Sequence, residues 1–125
     1  MKIYISHSSG FDFKGELYQP IRKLVLNKQH EIILPHENSG EPYLVKDNLP
    51  KFDLILAEVS YPSTGQGIEL DWFSIYKVPI ACFYKKGSKV SSSLKTISNK
   101  FIEYLDTADM IKKLEILIQS FNAKN

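Results

Sequence analysis

Asp53-Leu-Ile-Leu-Ala-Glu-Val-Ser-Tyr-Pro-Ser-Thr-Gly-Gln-Gly-Ile-Glu69-Leu70 is the stretch that decides the fold. Asp53–Val59 is a nearly continuous apolar run, the pattern of a strand covered on both faces, as in parallel sheets. A Pro/Gly turn follows, and helical spacing begins behind it. In open α/β sheets the carboxyl end of a strand and the amino end of a helix meet at such a turn, and ligands bind there. Glu69 is read in the first turn of this helix, at a position where the pattern calls for an apolar residue.

Successive helical residues turn by roughly 100°. With Ile68 as origin, Ile75, Trp72, Tyr76 and Phe73 fall on one arc, and Glu69 falls within it. Asp71, Ser74 and Lys77 take the opposite, solvated side. A carboxylate on a core-facing stripe must be paired, line a cavity or be neutral, because an isolated buried charge is too costly. A first-turn position favours the ionised form, since free amides and the helix dipole stabilise negative charge there. A glutamate that simply bonds the amides at the helix entrance fits the same pattern.

Working outward, short β-rich runs alternate with longer helical patterns, which implies an α/β domain with a mainly parallel sheet. Strands are expected at Lys2–Ser6, Glu31–Pro35, Asp53–Val59, Ile80–Tyr84 and Phe101–Tyr104. Helical spacing runs from about Lys14 to Lys28, with Leu17, Ile21, Leu24 and Val25 on one face and a bend at Pro20. Glu37–Lys51 reads as irregular or weakly helical. A short helix is expected near Ser91–Ser98. A closing helix over Ala108–Phe121 carries Met110, Leu114, Leu117, Ile118 and Phe121 as its apolar stripe. Five strands with crossover helices give a Rossmann-like or flavodoxin-like three-layer sandwich. Right-handed crossovers gather Ser6–Gly10, His36–Gly40, Ser60–Gly67 and Lys85–Ser93 along one edge. Those loops hold most of the Ser, Gly and His of the chain, the make-up of an anion or sugar pocket.

The 125 residues are 43% hydrophobic and 24% charged, enough for one core in a single domain spanning 1–125. The net charge of +2 argues for neither nucleic acid nor a membrane surface as partner. The lone Cys82, within Pro79-Ile-Ala-Cys-Phe-Tyr, reads as a buried small hydrophobe, excludes an internal disulfide and fits a reducing cytoplasm. The amino terminus enters a strand pattern at once, so no signal peptide is expected, and no span is long enough to cross a membrane.

Candidate binding groups lie on that edge: Ser6, Ser8 and Gly10 after the first strand, His36 after the second, and Ser63, Gly65 and Gly67 in the central turn. The Ser63-Thr-Gly-Gln-Gly turn offers hydroxyls and backbone amides suited to phosphate. Ser63 with Gln66 also fits a capping box, which needs no ligand. The turn lacks the Gly-Lys-Ser/Thr of a Walker loop and the glycine spacing of a dinucleotide fingerprint. Ser91-Ser-Ser93 offers either a second set of hydroxyls or a helix cap before Leu94, and the cap is the favoured reading. His7, His30 and His36 are too scattered for a metal site, and no cofactor is implied. Glu58, at the end of the third strand, is a candidate for orienting a loop. Asp47-Asn-Leu-Pro50 looks like a turn or helix end.

Tyr4, Asp53–Val59, Pro62-Ser-Thr-Gly-Gln-Gly-Ile-Glu-Leu70 with the following Pro79-Ile, and Gly87-Ser-Lys-Val-Ser-Ser-Ser-Leu94 together resemble the nucleoside 2-deoxyribosyltransferase superfamily. The Ala57-Glu-Val-x-x-Pro-Ser-x-Gly-x-Gly-x-Glu-Leu70 pattern is closest to its 2'-deoxynucleoside 5'-phosphate N-hydrolase branch. The resemblance implies a flavodoxin-like homodimer with pockets near the subunit interface, acting on a deoxynucleoside or deoxynucleotide. It implies Glu69 as the nucleophile at C1', Asp47 as the second acidic residue that assists proton transfer, and Tyr4 as a tyrosine near the catalytic carboxylate. It also implies phosphate contacts from Ser63 and, across the dimer, from Ser92. Chemically this parallels a retaining glycosidase. The chain departs from the branch in three ways. Ser6-His-Ser-Ser-Gly-Phe-Asp12 replaces a loop carrying an arginine and glycines, the link from Asp47 to the third strand is two residues shorter, and Trp72 and Phe73 replace smaller residues.

Ile3-Tyr-Ile-Ser-His-Ser-Ser with Asp12 also looks like the opening of a TIR domain, a fold that includes NAD glycohydrolases. That likeness covers one strand and a loop, and the later serine-rich box with Trp-Cys is absent, so it ranks lower. A non-catalytic nucleotide-binding or signalling module is the alternative of a different class. The absent loop arginine favours it, whereas Glu69, Asp47 and Tyr4 together weigh against it.

Overall fold

A computed structural model describes residues 1–38, 45 and 51–124. Five strands form one sheet: β1 (Lys2–His7), β2 (Glu31–Ile33), β3 (Leu54–Glu58), β4 (Ile80–Lys85) and β5 (Phe101–Tyr104). Their order is β2-β1-β3-β4-β5 and every pairing is parallel, which makes the fold flavodoxin-like. The helices are α1 (Gln19–Arg22), α2 (Thr64–Ile75) and α3 (Thr107–Lys124).

All five residues of β3 are buried, because the strand is central and both of its faces are covered. Alternation along the strands divides the core in two. Ile3, Ile5, Leu54, Leu56, Ala81 and Phe83 meet Leu17, Ile21 and the α3 residues Met110, Leu114, Leu117 and Ile118. Tyr4, Ile55, Ala57, Ile80 and Cys82 meet Leu70 and Phe73 of α2, with Phe52 and Val45. The sheet is thus the middle of three layers. The strand order reverses between β1 and β3, where Ser6 pairs with Ala57 and His7 with Glu58. The carboxyl ends of these two strands define the crevice in which such folds take ligands.

The expected helix over Lys14–Lys28 is broken into three pieces. Lys14–Tyr18 is a wide turn in which the Gln19 N–H reaches back five residues to the Lys14 carbonyl. Pro20 follows it in the first turn of α1, where its missing N–H costs nothing. Leu24 is extended, and Val25–Lys28 forms a separate tight turn. This break shifts the phase, so Leu26 is buried and Val25, expected on the core face, is 69% exposed. Much of the Glu37–Lys51 segment lies outside the described residues. Ser91 begins the short turn Ser92–Thr96 without a side-chain cap, contrary to the capping expectation for the serine run; Leu94 N–H bonds the Ser91 carbonyl instead. Among the described residues no helix is long and apolar enough to cross a membrane.

Candidate active site

The turn leaving β3 is fixed by Glu58. Its side chain is buried and accepts hydrogen bonds from Ser60 N–H at 2.6 Å, from Ser60 Oγ at 2.9 Å and from the Tyr104 hydroxyl. Ser60 Oγ in turn accepts from Lys85 N–H at 2.8 Å, so the turn is tied to both β4 and β5. Burial pushes the Glu58 carboxyl up, opposed by the bonds from Tyr104 and Ser60. Burial and the neighbouring Glu58 likewise push the Tyr104 phenol up.

Ser63 is extended and caps α2, its hydroxyl accepting from Gln66 N–H at 3.3 Å. Only half of the expected capping box forms. The Gln66 side chain turns away from Ser63 and donates to the Glu58 carbonyl at 2.9 Å, which buries it. Helix and strand are thereby stitched together at the point where the chain reverses.

The face of α2 against the sheet differs from the expected arc. Gln66, Leu70 and Phe73 are buried, whereas Ile68, Ile75 and Tyr76 are at least half exposed and Trp72 is intermediate. At roughly 100° per residue, Glu69 stands roughly 70° from the middle of the buried face, on its flank. Glu69 is also not in the first turn: the helix begins at Thr64, and its first turn carries no acidic residue. The reading of a glutamate that bonds the amides at the helix entrance therefore fails, and the dipole fades before reaching it. Its surroundings come instead from β1. Burial raises the Glu69 carboxyl from 4.5 to about 7; a hydrogen bond from Tyr4 opposes the rise, as does the proximity of the Ser6 hydroxyl, which makes no hydrogen bond of its own here. Desolvation outweighs the donors, so the carboxyl titrates near neutrality.

A cluster of rings that sequence reasoning passed over lies at the same edge. His7 Nδ1 is 2.7 Å from the Ser8 carbonyl, so this nitrogen carries the hydrogen of the neutral ring. Nε2 then accepts from the Tyr18 hydroxyl at 2.6 Å, and the Tyr18 oxygen accepts from His36 N–H at 3.1 Å. Burial lowers the His7 pKa, with the bond to the Ser8 carbonyl opposing the shift. Burial, followed by the charges of Glu37 and Glu69, takes the Tyr18 phenol up to about 12, against the opposing bond from His36. Phe13 packs on His7 with ring centres 4.5 Å apart, and Phe11 stacks on Tyr61 at 4.8 Å, joining the loops that follow β1 and β3. The sequence signal was present in the ring-rich His7-Ser-Ser-Gly-Phe-Asp-Phe13, but Tyr18 was hidden by an assumed continuous helix.

The remaining predicted residues are dispersed. Ser8 is buried and its Oγ accepts from Gly10 N–H at 3.0 Å, closing the loop on itself. His36 meets Tyr18 through its backbone. Gly65 and Gly67 are exposed with open space above them, and Gly67 N–H is used by the Ser63 carbonyl. Ser92 is exposed and lines a surface cavity of about 440 Å³ with Tyr84, Val90, Phe101 and Glu103, a lining that does not include Glu69. Asp47 lies outside the described residues. A cavity of about 470 Å³ at the opposite sheet edge, lined by Lys77, Lys95 and Lys100 among others, holds none of the predicted residues. His30 bonds the Met1 amino group, and no metal-ligating cluster exists among the described residues.

No family model matches the chain. It is 32% identical over 75 residues, or 60% of its length, to the Methanosarcina mazei protein named "Putative 2'-deoxynucleoside 5'-phosphate N-hydrolase 1". The resemblance to the N-hydrolase branch stands. The match spans about half (47%) of that relative. Among solved structures, the CMP N-glycosidase BcmB of Clostridium botulinum superposes with a TM-score of 0.63 at 23% identity, covering 92% of this chain and 99% of that one. That likeness establishes the shared α/β fold.

Proposed function

We propose that this protein cleaves the N-glycosidic bond of 2'-deoxynucleosides or their 5'-monophosphates through a covalent intermediate on Glu69. The observation that carries the reading is the placement of Glu69, on the flank of α2 that meets the sheet, beside Tyr4 at the β1/β3 crevice, where burial pushes its carboxyl up to about 7. The names of the relative and of the structural neighbour, an N-hydrolase and an N-glycosidase, support the same reaction class.

In this reading the ionised Glu69 oxygen forms a bond to C1' as the C1'–N bond breaks. The bonding pair leaves with the base nitrogen, which takes a proton delivered by Asp47. Water, or the nitrogen of a second base, then attacks C1' and gives its proton to the Asp47 carboxylate, which restores the acid. The ester C–O bond breaks and the carboxylate returns. Two displacements at one carbon retain its configuration. The transition state carries positive charge on the sugar, which a poorly solvated carboxylate stabilises strongly. Tyr4 orients that carboxylate. Ser63 and Ser92 are the proposed contacts for a 5'-phosphate, with Ser92 supplied by a second copy of the chain. The exposed Ile68 and Ile75 on α2, with Tyr76 just beyond its end, give such a copy an apolar face to cover.

Incubation with a panel of deoxynucleosides and monophosphates, with and without a free acceptor base, tests the reading. Base release that disappears in a folded Glu69→Ala variant supports it. Equal release by that variant, or nucleotide binding without release by the wild type, refutes it. Equal turnover of dGMP and deoxyguanosine removes the phosphate assignment, and a monomer in analytical ultracentrifugation removes the second copy.

A further inference from the structure

Ser6 is fully buried, and its Oγ is the buried side-chain oxygen among the described residues that lacks a hydrogen-bond partner. Leaving a buried hydroxyl unsatisfied costs free energy, and native structures seldom do so without a reason. Nothing about strand formation requires serine here. The flanking β1 residues Ile3, Tyr4 and Ile5 are large and well packed, and the β3 residue paired with Ser6 is the small Ala57. Ser6 stands two positions after Tyr4, so both side chains leave β1 on the face that meets α2. Although Oγ makes no hydrogen bond in its present orientation, it lies near enough to Glu69 to favour the ionised carboxylate.

We propose that Ser6 is a positioning residue for Glu69. Its hydroxyl rotates to donate to the ionised carboxylate alongside Tyr4, so that two hydroxyls on one strand hold the attacking oxygen in a single orientation. A hydroxyl suits this task because its hydrogen turns freely about the C–O bond and follows the charge state of the acceptor. The inference rests on the reading of Glu69 as nucleophile for its catalytic meaning, but the contact itself is testable without activity. Among the described residues, the ionisable groups that act on Glu69 are Tyr4 from β1 and Tyr18 from the wide turn; Glu37, which also acts on Tyr18, is held by Arg22 at 2.6 Å.

The experiment is a carboxyl NMR titration of Glu69 in wild-type, Ser6→Ala and Ser6→Cys proteins, paired with kcat/KM profiles from pH 5 to 9. Losing a donor to a charged group is expected to raise the Glu69 midpoint by about one unit. The rate should then fall about tenfold at pH 6 and hardly change at pH 9. Cysteine fills the space of serine but donates weakly, so it should behave like alanine. If Ser6 only packs, cysteine will behave like serine. An unmoved midpoint in both variants overturns the proposal whether or not the wild type is active. Absence of base release from the wild type, with a midpoint that still moves, removes the catalytic reading and leaves the contact.

Discussion

Replacing Glu69 by glutamine keeps the size and the hydrogen-bond acceptor while removing the charge. The folded carboxyl titrates near 7 and the unfolded one near 4.5. Between those values the folded state holds a proton that the unfolded state has released, so stability falls as pH rises across this window. A rise of this size corresponds to about 3 kcal/mol, absent below pH 4.5 and fully expressed at pH 8. The neutral amide has no charge to desolvate. The Glu69→Gln variant should therefore match the wild type near pH 4 and exceed it by about 3 kcal/mol at pH 8. Urea titrations at four pH values measure this directly, and the difference moves the midpoint by roughly 1–3 M. The same substitution should abolish base release. A gain that is equal at all pH values, or absent at pH 8, would refute the account of Glu69 as a carboxylate kept against its desolvation cost.

Three further outcomes follow from the geometry. Tyr4→Phe removes a donor to Glu69, so the acid limb of the kcat/KM profile should move above pH 7, with the loss greatest at low pH. Ser63→Ala removes the cap of α2 and should cost about 1 kcal/mol in chemical denaturation, while a phosphate contact would add a selective loss on monophosphates. Tyr104→Phe takes one of three hydrogen bonds from Glu58; a loss of about 1–2 kcal/mol is expected, with the Glu58 titration moved further up in NMR.

Much of this protein was legible in the chain. The apolar run through Leu54–Glu58 marked a strand covered on both faces, and the alternation of strand and helix patterns implied the parallel sheet that is observed. These features depend on local spacing and on composition, which a sequence carries in full. The segment around Ser60–Gly67 groups with the other strand-end loops along one edge of the sheet for the same reason, since crossover handedness fixes where strand ends meet.

Tertiary structure decided which side of α2 is covered and what state Glu69 adopts. Apolar residues lie on both sides of that helix, and spacing shows which of them share a face without showing which face meets the sheet. Packing against Tyr4 and Ile55 selected Leu70 and Phe73, leaving Ile68 and Ile75 outside. The start at Thr64 put Glu69 beyond the first turn, where desolvation replaces the dipole as the governing influence. The wide turn before Pro20 brought Tyr18 to His7 and His36, a meeting that no periodicity encodes. Local order comes from residues close in sequence; the charge state of a carboxyl comes from every atom that displaces water around it, and only the folded chain assembles those.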